Sequence, residues 1–177
     1  MDRLRNYEIS FSGLKNGKHI FRFDLDKAFF KLFETEQEFD NPKINATVVL
    51  EKHTTFLELT IDVNGEVELV CDITSDIFDE KIENQMQFLV KFGEKYDDSD
   101  ENVITIPMND HQFNVAQQLY ESVVLAIPMK KISPKVTDED LEILEKYSPK
   151  ETQEEEEEEE TQSDPRWDAL KKLKDKN

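Results

Sequence analysis

A run of seven glutamates at residues 154–160 is the feature that most limits how this chain can fold. Adjacent like charges repel one another and do not pack into a core, so we expect the run to be a solvated spacer. The only tryptophan, Trp167, lies beyond it. The main domain must therefore be built from the residues before the spacer, and whatever follows the spacer is joined to it by a polar tether.

Residues 164–177, after the spacer, form a short amphipathic motif. Asp164 can cap a helix whose first position is Pro165. A helix this short is marginal alone in water, so its apolar side packs either on the chain's own body or on a partner. The residues that we predict to bind a partner are Pro165, Arg166, Trp167, Leu170, Lys171 and Leu173.

Charge separates the body from the tip of the chain. The net charge is −19, of which −14 belongs to residues 1–148, whereas residues 165–177 carry +3. A strongly anionic body repels phosphate backbones and attracts basic partners. The cationic tip can contact RNA phosphates or an acidic surface, or its lysines can simply complement the dipole of their own helix.

Length and composition predict one domain and a tail: an α+β domain at 1–149, an acidic disordered linker at 150–163 and the terminal motif at 164–177. The single cysteine, Cys71, excludes an intrachain disulfide and indicates a reducing compartment. The first residues contain no apolar signal region, and the longest apolar run is too short to span a bilayer. We therefore expect a soluble cytoplasmic protein that acts as a monomer, without a membrane partner.

Alternating apolar and polar residues predict about seven antiparallel strands in a curved or barrel-like sheet. These strands lie near residues 7–11, 21–25, 44–52, 55–62, 67–71, 85–92 and 103–106. Asn16-Gly17 predicts a turn between the first two. The acidic stretch 97–101 predicts an exposed loop.

A second turn is predicted at Val63-Asn64-Gly65. A three-residue loop there would pair Ile61 with Val67, would give Gly65 a positive φ, and would direct Cys71 into the core.

Three helices are expected. A short one begins after Asp26 and carries Phe29, Leu32 and Phe33 on one face. A long apolar helix at 115–127, with Asn114 and Gln117 as a capping box, covers the sheet. A third, at 138–147, is capped by Thr137. The whole is predicted to be an α+β fold.

No set of residues at catalytic or metal-ligand spacing emerges from the sequence. His19, His53 and His111 are scattered without a carboxylate or cysteine at ligand spacing, and Cys71 is predicted to be a small buried hydrophobe. The glycines stand alone, so no phosphate-binding loop is indicated. We predict no enzymatic activity, no cofactor, no metal and no small-molecule substrate.

Two segments resemble the YceD-like family, whose members are described as large ribosomal RNA subunit accumulation proteins. They are residues 114–129 (NVAQQLYESVVLAIPM) and 164–173 (DPRWDALKKL). The family's cysteine-bearing strand commonly shows Cys-x-Arg-Cys, whereas Cys71 is followed here by Asp72, Ile73 and Thr74. Loop lengths and the glutamate run are similar to those of the Bacteroidetes-type branch.

The resemblance implies a bacterial cytoplasmic factor in ribosome biogenesis, without enzymatic activity, that supports accumulation of the large-subunit (23S) ribosomal RNA. Its partner is expected to be ribosomal precursor RNA or a basic ribosomal or assembly protein. The alternative is an acidic chaperone-like protein, or nucleic-acid mimic, that sequesters basic proteins.

Overall fold

The computed structural model describes residues 2–33, 35–100 and 102–140, and within them the chain is an α+β, strand-rich fold. The strands are β1 Glu8–Ser10, β2 Gly17–Leu25, β3 Asp40–Lys52, β4 Phe56–Val70, β5 Ile77–Gly93, β6 Asp97–Asp100, β7 Val103–Pro107 and β8 Gln112–Asn114. The α-helices are α1 Lys27–Phe30 and α2 Ala116–Ala126, and 3-10 turns span Asp2–Tyr7 and Lys31–Phe33.

Six of these strands form one sheet in the order β2-β3-β4-β5-β7-β6. Neighbours are antiparallel except β5 and β7, which are parallel. The sheet is open, with β2 and β6 at its edges, so the predicted barrel-like closure is wrong. Residues 97–100, predicted to be a loop, form edge strand β6. All four are exposed, and the negative charges of the three aspartates among them discourage pairing with another chain at this edge.

The core lies on one face of the sheet. In β3 the buried residues are Pro42, Ile44, Ala46, Val48 and Leu50. In β4 they are Leu57, Leu59, Ile61, Val63, Val67 and Leu69. Because successive side chains of a strand point to opposite faces, this alternation leaves the other face, here called the outer face, mainly to polar residues, with Ile20, Val70 and Ile77 as exposed apolar exceptions.

Strand β4 runs straight through the predicted turn at residues 63–65. Ile61 lies opposite Val48 and Met86 rather than Val67, and Gly65 does not have a positive φ, so that hairpin prediction is wrong. The physical reason is that the apolar alternation continues unbroken through Gly65, so a straight strand keeps every apolar residue on the core face. The prediction that Cys71 points into the core is confirmed, since it is 1% exposed.

Gly65 is required by close approach of two strands. It lies opposite Ile44 of β3, and a Cβ at this position would come within 2.6 Å of the Ile44 Cα and would collide with the carbonyl oxygen of Lys43. Glycine in a strand interior often marks such an approach.

The first strand pairs with a distant partner. Gly17 has a φ of 120° and is the first residue of β2, whereas the hydrogen-bonded turn after β1 lies earlier than the predicted Asn16-Gly17, where the N–H of Leu14 donates to the carbonyl oxygen of Phe11. However, β1 pairs with β8, with Ile9 opposite Phe113, and does not pair with β2. These two strands form a separate two-stranded sheet.

Asp26 caps α1 as predicted. Its Oδ1 accepts hydrogen bonds from the backbone N–H groups of Ala28 at 2.9 Å and Phe29 at 3.1 Å. The cap sets Phe29 into the core, where its ring lies 4.8 Å from that of Tyr7 and 5.2 Å from that of Phe33.

Helix α2 packs on the core side of the sheet but has only 11 residues, so it is not the long helix predicted. Leu119 and Val123 are fully buried, and Nδ2 of Asn84 in β5 donates to the carbonyl oxygen of Ser122 at 2.9 Å. The predicted capping box does not form. Val115 is the N-cap residue, and Nε2 of Gln117 donates to Glu121 instead.

The third predicted helix is described only at its start. Residues 138–140 are helical, and Asp140 accepts hydrogen bonds from the backbone N–H of Thr137 at 2.9 Å and from its hydroxyl at 2.8 Å. The remainder of that helix, the linker at 150–163 and the terminal motif lie outside the described residues. Across the described ranges, the helices all fall short of the length and apolar character needed to cross a membrane.

Candidate partner-binding surface

The residues predicted to bind a partner, Pro165, Arg166, Trp167, Leu170, Lys171 and Leu173, lie outside the described part of the chain. That prediction therefore stays a prediction. The described body nevertheless has four features with the chemistry to bind something. They are a cavity beside α2, the charged outer face of the sheet, the surroundings of Cys71, and an exposed apolar end of α2.

A cavity of about 460 Å³, here called the α2 cavity, opens at the N-terminal end of α2. Its apolar walls include Phe33, Ile106 and Phe113, and its rim includes Glu8 and Asp110. Small-molecule and side-chain pockets commonly combine apolar walls with a few polar groups in this way.

Hydrogen bonds donated by residues of β8 and by Val115, which follows it, fix the wall of the α2 cavity. Nδ2 of Asn114 donates to the carbonyl oxygen of Leu4 at 2.8 Å, and Nε2 of Gln112 donates to Glu8 at 2.8 Å. The backbone N–H of Val115 donates to the carbonyl oxygen of Tyr7 at 2.9 Å. The 3-10 turn at Asp2–Tyr7 is thereby held against the start of α2. Local sequence patterns do not predict this contact.

The α2 cavity is electronegative. Glu8 and Asp110 line it, and no lysine or arginine is among its described lining residues. Tyr96, which also lines it, donates from its hydroxyl to Asp98 at 3.2 Å. Burial and the negative charges of Asp98 and Glu121 raise the pKa of Tyr96. Two carboxylates thus line the cavity, and two more lie near the hydroxyl of Tyr96.

Gln118 is a buried polar residue that lines the α2 cavity. It is 7% exposed, and its Oε1 has no hydrogen-bond partner among the described residues. An acceptor left unpaired in a buried position costs roughly 1–3 kcal/mol. The sequence prediction missed this residue, although Val115, Gln118 and Ser122 have the spacing of one helix face and could have indicated a second buried stripe.

Like charges face each other on the outer face of the sheet. Glu51 lies directly opposite Glu58, and Glu68 directly opposite Asp79. Directly opposed like charges destabilise a sheet. One pair is relieved by Asn41, whose Nδ2 donates to Glu68 at 2.5 Å.

His53 joins the Glu51–Glu58 pair, contrary to the prediction that no carboxylate lies at ligand spacing from a histidine. One ligand atom from each of the three residues lies within 4.8 Å of the others, so they could hold a divalent cation. The carboxylates are already engaged, because Lys18 Nζ lies 3.5 Å from Glu51 and Nε2 of Gln87 donates to Glu58 at 2.5 Å. The positive charge of Lys18 opposes a second cation there, and the arrangement acts as a polar network at the β3–β4 turn.

Cys71 lies just after β4, where the chain following α2 docks. The backbone N–H of Ser133 donates to its Sγ at 3.3 Å. Alongside it, the N–H of Asp72 donates to the carbonyl oxygen of Lys131, and the N–H of Lys131 donates to a carboxylate oxygen of Asp72 at 2.7 Å. The side chain of Lys131 is also used locally, since its Nζ donates to Glu38 at 2.6 Å.

The C-terminal end of α2 is apolar and exposed. Leu125 is 71% exposed and Met129 is 100% exposed, beside the half-buried Ile127. This end adjoins a shallow cavity of about 280 Å³ lined by Phe39, Tyr120 and their neighbours.

Comparison with known proteins identifies the family. A family model described as large ribosomal RNA subunit accumulation protein YceD matches residues 59–174, well over half of the chain. Searches of curated proteins and of solved structures found no match. The matched range runs from within β4 through α2 and into the terminal motif. The assignment to the Bacteroidetes-type branch stays a prediction. The chain belongs to the YceD family of large ribosomal RNA subunit accumulation proteins.

Proposed function

We propose that this protein is a non-enzymatic, cytoplasmic ribosome biogenesis factor that supports accumulation of the large-subunit (23S) ribosomal RNA by binding a ribosomal or assembly component. The family match over residues 59–174 carries this proposal, because the family's description is a role in large ribosomal RNA subunit accumulation. The family is not a known enzyme family. A binding role accounts for the charge and surface of the body without requiring a reaction.

The partner of the body is a basic ribosomal or assembly protein. Residues 1–148 carry a net charge of −14, and a field of that sign repels the phosphates of RNA and attracts cationic proteins. The opposed pairs Glu51–Glu58 and Glu68–Asp79 support this choice, since a cationic partner would relieve their repulsion. Contact with precursor RNA is limited to the +3 tip at residues 165–177.

The proposed organisation is a domain at 1–149, a polar linker at 150–163 and a partner-binding motif at 164–177. A flexible linker converts binding of the second site into an intramolecular event and so raises its effective concentration. Body and motif can then engage two places on one assembly intermediate, with the monomer as the working unit.

The test is sedimentation of extracts from cells that carry the full chain, the chain lacking residues 164–177, or the Trp167→Ala variant. We expect the full chain to sediment with large-subunit precursors and both altered chains to do so less. Gln162→Ala, in the linker, is the matched control and should sediment normally. Absence of the full chain from precursor fractions, together with normal 23S levels in a deletion strain, would contradict the proposal.

A second candidate function is an acidic chaperone-like protein or nucleic-acid mimic that sequesters basic proteins through its body. The net charge of −14 on residues 1–148 favours it. The two functions differ in their need for the terminal motif. Removal of residues 164–177 should leave sequestration of basic proteins intact but should impair a tethered assembly factor.

A further inference from the structure

Strand β2 (Gly17–Leu25) is an edge of the six-stranded sheet, and its free side is long and regular. All nine of its residues pair with β3 without a register shift. Within the part of the chain that the structure describes, no backbone–backbone hydrogen bond joins β2 to any element except β3. The strand contains no proline. The free N–H and C=O groups of such an edge are a template for pairing with a further strand.

The opposite edge of the sheet, β6, is protected against such pairing, whereas β2 is not. β6 has only four residues, three of which are aspartates, and its register against β7 is irregular. Short length, uniform charge and irregular pairing are means by which proteins block the edges of their sheets. β2 is more than twice as long, and its charges, on Lys18, Arg22 and Asp24, are of both signs, so a strand of suitable sequence can match them.

Both faces of β2 carry apolar side chains that are incompletely covered. On the core face, Phe21 and Phe23 pack against the core but are only half-buried. On the outer face, Ile20 is 60% exposed. A strand added beside β2 would cover part of each of these side chains, and burial of apolar area stabilises association.

The sequence of β2 is complementary to itself in one antiparallel register. A two-fold axis perpendicular to the sheet keeps both cores on the same side and passes beside one residue, which then faces its own copy. With Phe21 at the axis, Lys18 lies opposite Asp24 of the second copy, and Ile20 lies opposite Arg22. With Arg22 at the axis, two arginines face each other, and with Ile20 at the axis, Lys18 faces Arg22. Directly opposed like charges destabilise a sheet, so the register with Phe21 at the axis is favoured.

The charge of β2 favours a second copy over a basic partner protein. Two basic residues, Lys18 and Arg22, and one acidic residue, Asp24, give the strand a net charge of +1. A cationic segment is therefore repelled at this edge, and RNA phosphates are repelled by the −14 of residues 1–148. Self-pairing instead matches every acidic residue of β2 with a basic one and sets two Phe21 rings against each other, which is a favourable cross-strand pair.

We propose that two copies of this chain associate through antiparallel pairing of their β2 strands, with Phe21 at the two-fold axis, so that the two six-stranded sheets become one continuous sheet. Interfaces below about 1,200 Å² belong to weak complexes, and pairing of one strand from each copy is of this kind, so we expect a Kd of roughly 1–100 µM. This inference concerns the free protein and is independent of the proposed function. A dimer this weak dissociates on dilution, and the monomer stays the proposed working unit.

The first test is sedimentation equilibrium of the full-length protein from about 1 to about 200 µM, which brackets the expected Kd. We expect a monomer–dimer equilibrium. Each chain carries a net charge of −19, so raising the salt from about 0.02 M to about 0.3 M should tighten the dimer at least about threefold by screening the repulsion between copies. A chain that stays monomeric at the highest concentration and salt would overturn the inference. Assembly beyond the dimer would also overturn it, because a closed two-fold pair leaves no free β2 edge.

Charge reversal separates pairing of β2 from a general effect of charge. Lys18→Asp and Asp24→Lys each place like charges opposite one another twice in the dimer, so each variant alone should dimerise at least about fivefold more weakly. An equimolar mixture of the two variants has the mean charge of the unchanged protein, and opposite charges face each other again, so its dimer should regain most of that loss. Lys91→Asp, at an exposed position of β5, is the control and should change the Kd less than about twofold. A mixture no tighter than either variant alone, or an equal loss in Lys91→Asp and Lys18→Asp, would overturn the inference.

Cysteine crosslinking tests the register. Ile20 and Arg22 are exposed, and the native Cys71 is only 1% exposed and so does not compete. In the proposed register these two positions lie opposite each other, with Cα atoms about 4.5–5.5 Å apart, within the reach of a disulfide. Under mild oxidation, a mixture of Ile20→Cys and Arg22→Cys should therefore form crosslinked dimers, and each variant alone should form few. No crosslink in the mixture, or equal crosslinking of one variant alone, would overturn the inference.

Discussion

The backbone N–H of Ser133 donates a hydrogen bond to Sγ of Cys71 at 3.3 Å. Negative charge on sulfur strengthens such a bond, so this contact, with further hydrogen bonds from Thr74 and Ile73, lowers the pKa of Cys71 to about 7. The side chain is at the same time only 1% exposed. Folding therefore favours the thiolate of a residue that solvent hardly reaches.

The first prediction concerns the pH dependence of stability. The folded pKa of Cys71 lies below its unfolded value of about 8.5. Its contribution is therefore fully present above the unfolded pKa and is lost as pH falls through about 7. As the pH is lowered from about 9.5 to about 6, the urea midpoint of the unchanged protein should decrease relative to that of Cys71→Ala. A difference that is constant over that range would contradict the prediction.

The second prediction concerns Gly65. An added Cβ would come within 2.6 Å of the Ile44 Cα, and backbone atoms of a central strand cannot move aside cheaply. Gly65→Ala should lower the free energy of unfolding by about 2–3 kcal/mol, the upper part of the range for overpacking. Gly13→Ala is the control, because a Cβ there meets nothing within 4 Å. Urea denaturation compares the two, and equal effects would refute the close-approach argument.

The strand β4 shows which parts of this fold follow from sequence. The alternation from Leu57 to Leu69 correctly predicts which residues face the core, because burial on one face imposes a period of two. The turn predicted at Val63-Asn64-Gly65 is wrong because turn propensity is a local preference that contributes little compared with burial of a whole face of the sheet. The sequence alone does not distinguish a glycine that is needed for close packing from a glycine that is needed for a positive φ.

The pairing of β1 with β8 shows what local patterns could not provide. Ile9 and Phe113 are adjacent in the sheet but about a hundred residues apart in sequence. The alternating apolar pattern of β1 is equally compatible with pairing of β1 to β2. The α2 cavity depends on this pairing, since Glu8 and Gln112 are brought together by it. The helix-face spacing of Gln118 could indicate its burial, but only the structure shows that its Oε1 has no hydrogen-bond partner among the described residues.

The third prediction concerns the cap of α1. Asp26→Ala removes the acceptor for the N–H groups of Ala28 and Phe29 and should cost about 1 kcal/mol of stability. Asp26→Asn keeps a capping oxygen and should cost less than about 0.5 kcal/mol. Thermal or urea unfolding of both variants checks this. An equally large loss in Asp26→Asn would indicate that the charge, rather than the cap, is what matters.

The fourth prediction concerns Lys52, which ties the loop between β1 and β2 to the end of β3. Its Nζ donates to the carbonyl oxygens of Phe11 at 2.8 Å and Leu14 at 3.0 Å in a partly buried position. Lys52→Met keeps the apolar stem but removes both donors. The Phe11 carbonyl retains the N–H of Leu14 at 3.2 Å, so the expected loss is moderate, about 1–2 kcal/mol.

Lys18 provides the matched control for Lys52. Its side chain is 69% exposed, and its Nζ lies 3.5 Å from Glu51, which makes it a surface ion pair on the neighbouring strand. Such pairs contribute little because water screens them, so Lys18→Met should change the free energy of unfolding by less than about 0.5 kcal/mol. The two variants remove the same charge and add the same side chain. A larger loss for Lys18→Met than for Lys52→Met in urea denaturation would therefore show that the carbonyl contacts do not hold this loop.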